Sequence, residues 1–86
     1  FLKIDTEGFE VFVLKGGVNT FRNLKPEMFI EVSESLLKRA GSSAKELIHI
    51  LNELNYQCIR VDTQENITED YNFDEQHFDI YCKPNK

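Results

Sequence analysis

Apolar residues fall along this chain in short blocks separated by polar turns, and the spacing within each block predicts its backbone. Phe1, Leu2 and Ile4 form a run too continuous for a strand with one wet face, and predict a short buried strand. Phe9, Val13 and Leu14, with Phe12 beside them, then recur at helical spacing and predict a helix over about 7–15, stopped by Gly16-Gly17. Residues 18–24 predict an irregular or single-turn helical stretch. Pro26 imposes an extended approach on its neighbourhood, so 28–32 reads as a second strand, with Phe29 and Glu31 on one face and Met28, Ile30 and Val32 on the other.

Residues 33–41, SESLLKRAG, suit either a helical turn or a loop. The next start is sharper: Ser43 followed three residues later by Glu46 is a capping box, able to satisfy two orphan backbone donors at a helix start. That helix carries Leu47, Ile48, Leu51 and Leu54 on one side and Lys45, Asn52 and Glu53 on the other, with Asn55 as its C-terminal stop. A third strand is predicted over 58–62, a polar stretch over 63–76, and a fourth strand near 78–82. Alternating strands and helices predict an α/β fold with a parallel sheet and helical crossovers. The last two strands, joined without a clear helix, predict an antiparallel pair. Cys58 and Cys82 face each other across it if the register is symmetric about residue 70.

Composition narrows the class. The chain has 86 residues, 41% hydrophobic and 29% charged, which suits one small domain with a modest core and excludes a disordered or collagen-like chain. A formal charge of −5 argues against nucleic acid, whose binding needs clustered Lys and Arg, and against anionic lipid. No run reaches the roughly 18 to 20 apolar residues of a membrane span, and no basic-then-apolar leader is present, so a cytoplasmic protein is expected. Two cysteines are too few for a disulfide scaffold and predict reduced thiols serving as small core residues. The sequence starts at Phe1, inside an apolar run, as a piece of a longer protein would.

Acids are unevenly placed. The stretch 63–76 has no Lys or Arg and carries Glu65, Glu69, Asp70, Asp74 and Glu75, five acids that equal the net charge of the whole chain. It lacks the ordered spacing and glycine of an EF-hand and reads as a solvated loop. Its Asn66-Ile67-Thr68 fits the glycosylation pattern, which has no use without a secretory signal. His49 and His77 have no Cys or His partner at zinc spacing, and surface or packing roles are expected of them.

The remaining acids sit where chemistry is expected. Ligands of open α/β sheets collect at the carboxyl ends of parallel strands, and Asp5 stands at such an end with Glu7, Gly8 and Glu10 close behind. Helix capping and the helix dipole give Asp5, Thr6 and Glu7 an alternative role. Gly8 fits that alternative poorly. Glycine costs roughly 1 kcal/mol relative to Ala in a helix interior, and its use here points to a close approach to the backbone. Glu31, one strand over, is flanked by Ile30 and Val32, and is either a site residue or a structural acid bonded to a loop backbone.

The segments LKIDTEGFEVFVLKG, LKPEMFIEVSE and LNELNYQCIRVD together resemble the C-terminal half of the FkbM family of S-adenosylmethionine-dependent methyltransferases. The Asp-x-Glu-Gly-x-Glu element is the specific part, and the likeness spans nearly all of residues 1–86. The resemblance implies the C-terminal half of a Rossmann-like methyltransferase fold: four strands, mostly parallel, the last inserted antiparallel between the second and third, with two main helices. It implies an O-methyltransferase acting on a hydroxyl of a sugar, polyketide or related small molecule, with Asp5, Glu7, Glu10 and Glu31 as catalytic candidates. Asp5 and Gly8 are the candidates for cofactor contact. The family's glycine-rich first strand-to-helix turn and its ribose-binding acid have no counterpart here, so the isolated chain should be inactive. Three nearby carboxylates do not specify a hard-cation site, and metal dependence stays open. A noncatalytic α/β interaction module on the same fold is the competing reading. In either case the apolar Phe1–Ile4 edge should fray or self-associate.

Overall fold

In the computed structural model, which describes residues 1–74 and 76–85, the chain is built from four strands and four helices. They follow in the order β1 (Leu2–Ile4), α1 (Glu10–Gly16), α2 (Val18–Leu24), β2 (Met28–Ser33), α3 (Glu34–Arg39), α4 (Ala44–Glu53), β3 (Tyr56–Arg60) and β4 (His77–Pro84). Two main helices were expected. The additional ones are α2 and α3, short helices on either side of β2.

The strands form one mixed sheet in the order β1-β2-β4-β3. Strand β1 pairs parallel with β2, and β4 runs antiparallel to both β2 and β3, so β1, β2 and β3 share one direction. The last strand is thus inserted between the second and third, as the resemblance implied. The β3–β4 register places Cys58 opposite Cys82, which is the symmetry about residue 70 expected from the sequence. Both cysteines are buried free thiols.

One sheet face holds the core. Ile4, Met28, Ile30, Val32, Phe78, Ile80 and Cys82 cluster there with Leu14, Phe21, Leu37, Leu47 and Leu51, so buried side chains of all four helices join the same face. Helix α4 presents Leu47, Ile48 and Leu51 inward, each fully buried and each contributing roughly 1.5 to 3 kcal/mol. Its start is capped as expected, Ser43 Oγ accepting from the Glu46 amide at 3.1 Å. Its end is closed by Asn55 in the left-handed conformation (φ 68°), a turn that Asn tolerates better than most residues. The other face alternates outward with Lys3, Phe29, Glu31, Asp79 and Tyr81, all exposed or half-buried.

Helix α1 departs from expectation in two ways. It starts at Glu10 rather than residue 7, because Glu7 (φ 54°) and Gly8 (φ 105°) are both left-handed and form a turn instead. Its buried face is Glu10, Val11 and Leu14, whereas Phe9 and Phe12 are 54% and 48% exposed and Val13 is also exposed. The predicted apolar stripe therefore points largely outward.

The polar stretch after β3 is more than a solvated loop. Residues 65–67 run along the outer edge of β3, with Glu65 O accepting from Arg60 N and Ile67 N donating to Cys58 O, both at 2.8 Å. That edge is closed to further pairing. Ile67 and Phe73 are buried, and Tyr71 packs tilted against Phe73 and edge-on against Phe78, which themselves stack. Arg60 lies 4.4 Å over the Phe78 ring and donates to the Tyr71 hydroxyl. Its ion pair with Asp62 holds that carboxyl below its usual value. Asn66, of the glycosylation pattern, accepts from Gln57. Glu75, one of the loop acids, lies outside the described residues. No helix among the described residues is long and apolar enough to cross a membrane.

Candidate functional site

The turn after β1 is organised by a buried acid. Glu10 is 1% exposed, and its carboxylate reaches back from the first turn of α1 to accept the Thr6 and Gly8 amides, each at 3.0 Å. Charge-assisted acceptance of two backbone donors offsets the cost of burying the carboxylate and fixes the chain between Asp5 and Phe9. No side chain caps α1 at its first turn, so the capping role foreseen for Asp5, Thr6 and Glu7 is not taken up, and Glu10 braces the turn before the helix instead. Thr6 Oγ1 is buried without a hydrogen-bond partner among the described residues.

Gly8 is explained by the same turn. A Cβ there would stand 2.3 Å from the carbonyl oxygen of Leu36, and the φ of 105° is one that L side chains rarely adopt. The close approach foreseen from the sequence is therefore real, and the approaching group is the backbone of α3. This fastens the turn to the helix that follows β2.

The motif acids go three ways. Asp5 lines a cavity of about 260 Å³ with Lys3, Phe29, Ile30, Glu31 and Asp79, on the sheet face away from the core. Glu7 borders a different hollow of about 100 Å³ with Phe9, Leu36, Arg39 and Ala40. Glu10 is enclosed. Glu7 and Glu10 do not share a helix face, since Glu7 precedes the helix, and the structure does not gather the three around one point.

Instead it joins Asp5 to Glu31. Parallel pairing of Ile4 with Ile30 sets Asp5 and Glu31 one step beyond, at the same level of neighbouring strands. Antiparallel pairing of Glu31 with Asp79 adds a third carboxylate on that face. Like charges directly opposite each other destabilise a strand pair, so three acids around one hollow are a local cost that packing does not require. Lys3 lies within the same cavity, and His77 Nε2 is 3.6 Å from Glu31 Oε2, so two nitrogen groups offset the acids in part. Beside the cavity, Phe29 stands between Phe1 and Tyr81 with ring centroids 5.2 and 5.4 Å away. Tyr81 donates to Glu27, which holds the Tyr81 hydroxyl above its usual pKa.

Chemically, the cavity offers hydrogen-bond acceptors beside an apolar ring, a combination suited to a small molecule bearing hydroxyl or cationic groups. No group of three His, Cys, Asp or Glu among the described residues is arranged to hold a metal ion. The space beside Gly8 is filled by the backbone of Leu36. His49 is an exposed partner of Glu69 at 2.8 Å, tying α4 to the polar loop, and plays no part in the cavity.

Sequence reasoning missed Asp79. Its signal was the alternation Phe78-Asp79-Ile80, legible only once β4 is known to lie beside β2. It also missed Glu34, buried at the start of α3, whose Oε1 accepts from Ala44 N at 2.9 Å and so secures the start of α4. Comparison with known families gives one match: the model of the methyltransferase FkbM domain matches residues 1–58, which include Asp5, Glu7, Gly8, Glu10 and Glu31. No curated protein and no solved structure gives a significant match.

Proposed function

Because this chain belongs to the FkbM methyltransferase domain family, we propose that it is the C-terminal portion of an S-adenosylmethionine-dependent O-methyltransferase, whose acceptor is a hydroxyl of a sugar, polyketide or related metabolite. The observation that carries this reading is the cavity shared by Asp5 and Glu31 at neighbouring strands, with Asp79 facing Glu31. Sheet order lends further support, since an antiparallel last strand beside β2 agrees with the closing end of a Rossmann-like methyltransferase sheet.

In this reading the chain supplies the acceptor side. Asp5 receives the proton that a hydroxyl loses on methylation, and Glu31 and Asp79 accept hydrogen bonds from neighbouring hydroxyls. Carboxylates set in a hollow also raise the concentration of groups that donate to them. Glu10 positions Asp5 by fixing the turn, and Glu7 stands outside the proton path. The family's glycine-rich turn and ribose-binding acid have no counterpart in residues 1–86, so S-adenosylmethionine binding is assigned to the remainder of the domain. The outer edge of β1, bearing exposed Phe1 and Leu2, is where isolated copies would associate. A noncatalytic module on the same fold would leave three facing acids without a role.

Calorimetric titration of the 86-residue chain with S-adenosylmethionine is expected to release no binding heat. Micromolar affinity would overturn the assignment of cofactor binding to another part of the protein.

A further inference from the structure

Cys58 and Cys82 are set for a reaction that the site above does not use. They are direct register partners on β3 and β4. The hydrogen-bonding phase of this ladder is fixed at two places: Val61 N donates to Asp79 O at 3.0 Å, and Asn85 N donates to Asn55 O at 2.9 Å. Alternation from either bond makes Cys58–Cys82 a non-hydrogen-bonded pair. The outer side of β3 agrees, because Cys58 O and Arg60 N both bond to the 65–67 segment, away from β4. Opposed residues at such a position have Cα atoms about 4.5 Å apart, inside the range of about 4.4 to 6.8 Å that a disulfide spans. The two side chains share the core face.

The geometry points to Cys58 and Cys82 as a reversible thiol–disulfide latch across the last two strands, closed by a hydroperoxide. One sulfur, that of Cys58, attacks the peroxide oxygen, giving a sulfenic acid and releasing water or an alcohol. The Cys82 sulfur then displaces the sulfenic oxygen as a second water, so the pair loses two electrons and two protons while the peroxide O–O bond is reduced. The order follows from position: Cys58 stands on β3, the outer strand of the sheet, whereas Cys82 lies on the interior strand β4, where the neighbouring Cys58 sulfur and burial push its thiol up. Access requires a local opening at the outer edge of β3, where Ile67 is the one buried side chain between residues 61 and 70 and the segment is held by the backbone bonds of Arg60 N to Glu65 O and Ile67 N to Cys58 O. Closing the latch would join β3 covalently to β4, the strand that carries Asp79 into the acid-lined cavity. Oxidation would then stiffen one wall of that cavity.

The test is peroxide treatment of the native 86-residue chain, followed by thiol counting in denaturant, intact mass and a thermal melt. Both thiols should disappear together, with a mass loss of about 2 Da. A melting temperature higher by roughly 10 °C or more is also expected, since the bridge closes a loop of 25 residues, Cys58 to Cys82, in a small domain. A folded Cys82→Ala variant should gain oxygen at Cys58 without that mass loss. Thiols that survive until the chain is unfolded would overturn the proposal. So would a covalent dimer in place of the internal bridge, or an oxidised form that melts below the reduced one.

Discussion

Gly8 and Leu36 are locked together: the hydrogen position on Gly8 that any other residue would fill with a Cβ faces the Leu36 carbonyl, 2.3 Å from where that carbon would sit. The geometry of the turn after β1 is therefore set by contact with α3, and the acid-lined cavity inherits its shape from that contact.

Gly8→Ala should be among the most damaging single substitutions. It combines a positive φ with a clash against main chain, and neither can relax without moving α3. A loss of roughly 3 kcal/mol or more is expected by urea denaturation, beyond the 1 kcal/mol typical of a point change. A near-neutral effect would mean that the turn and α3 do not touch.

The two faces of α1 should respond in opposite ways. Leu14 is fully buried, so Leu14→Ala should cost about 2 to 5 kcal/mol. Phe12 is half exposed and pairs with Phe9 at 6.0 Å, so Phe12→Ser should stay within about 1 kcal/mol of the parent in an isolated chain. Paired urea melts of the two variants check the assignment, and a reversed order would restore the helix face predicted from sequence.

Alkaline stability should depend on Tyr56. Burial first, and Cys82 second, push its hydroxyl up to about 12 from an ordinary value of 10.0, while the hydroxyl donates to Pro26 O at 2.7 Å. The folded chain then keeps a proton that the unfolded chain releases, so this contribution is complete below about pH 10 and is lost as pH rises toward 12. Tyr56→Phe should be less stable by about 1 kcal/mol at neutral pH and should flatten the decline above pH 10, as read from melts across that range.

What the sequence made legible were the features set by local period and by caps. Helix α4 emerged from Ser43, Glu46 and its four apolar positions, and β2 from an alternation that one buried face enforces. The Cys58–Cys82 pairing followed from hairpin symmetry. Helix α1 misled because a carboxylate, Glu10, took a core position in exchange for two backbone hydrogen bonds, a trade that hydropathy reads backwards. The left-handed Glu7 hid the true helix start for a related reason, since nothing in its side chain announces a positive φ. The polar loop concealed Ile67, which bonds to Cys58 of β3, and Tyr71 and Phe73, which pack on Phe78 of β4. Of the candidate site, Asp5 and Glu31 were found by their places at strand positions, whereas Asp79 needed the strand order before it could join them.

The central claim is that Asp5 does chemistry while Glu10 holds the turn that presents it. The most direct measurement compares Asp5→Asn and Glu10→Gln in the full-length protein, following transfer of labelled methyl from S-adenosylmethionine to hydroxylated acceptors together with thermal melting. Exposed Asp5 has no side-chain hydrogen bond among the described residues, so Asp5→Asn should abolish turnover by 10²-fold or more, the order expected for a lost general base, and leave melting unchanged. Glu10→Gln should lower the melting temperature, with turnover falling only as far as the turn loosens. Full turnover by Asp5→Asn, or a loss of stability matching that of Glu10→Gln, would contradict the account.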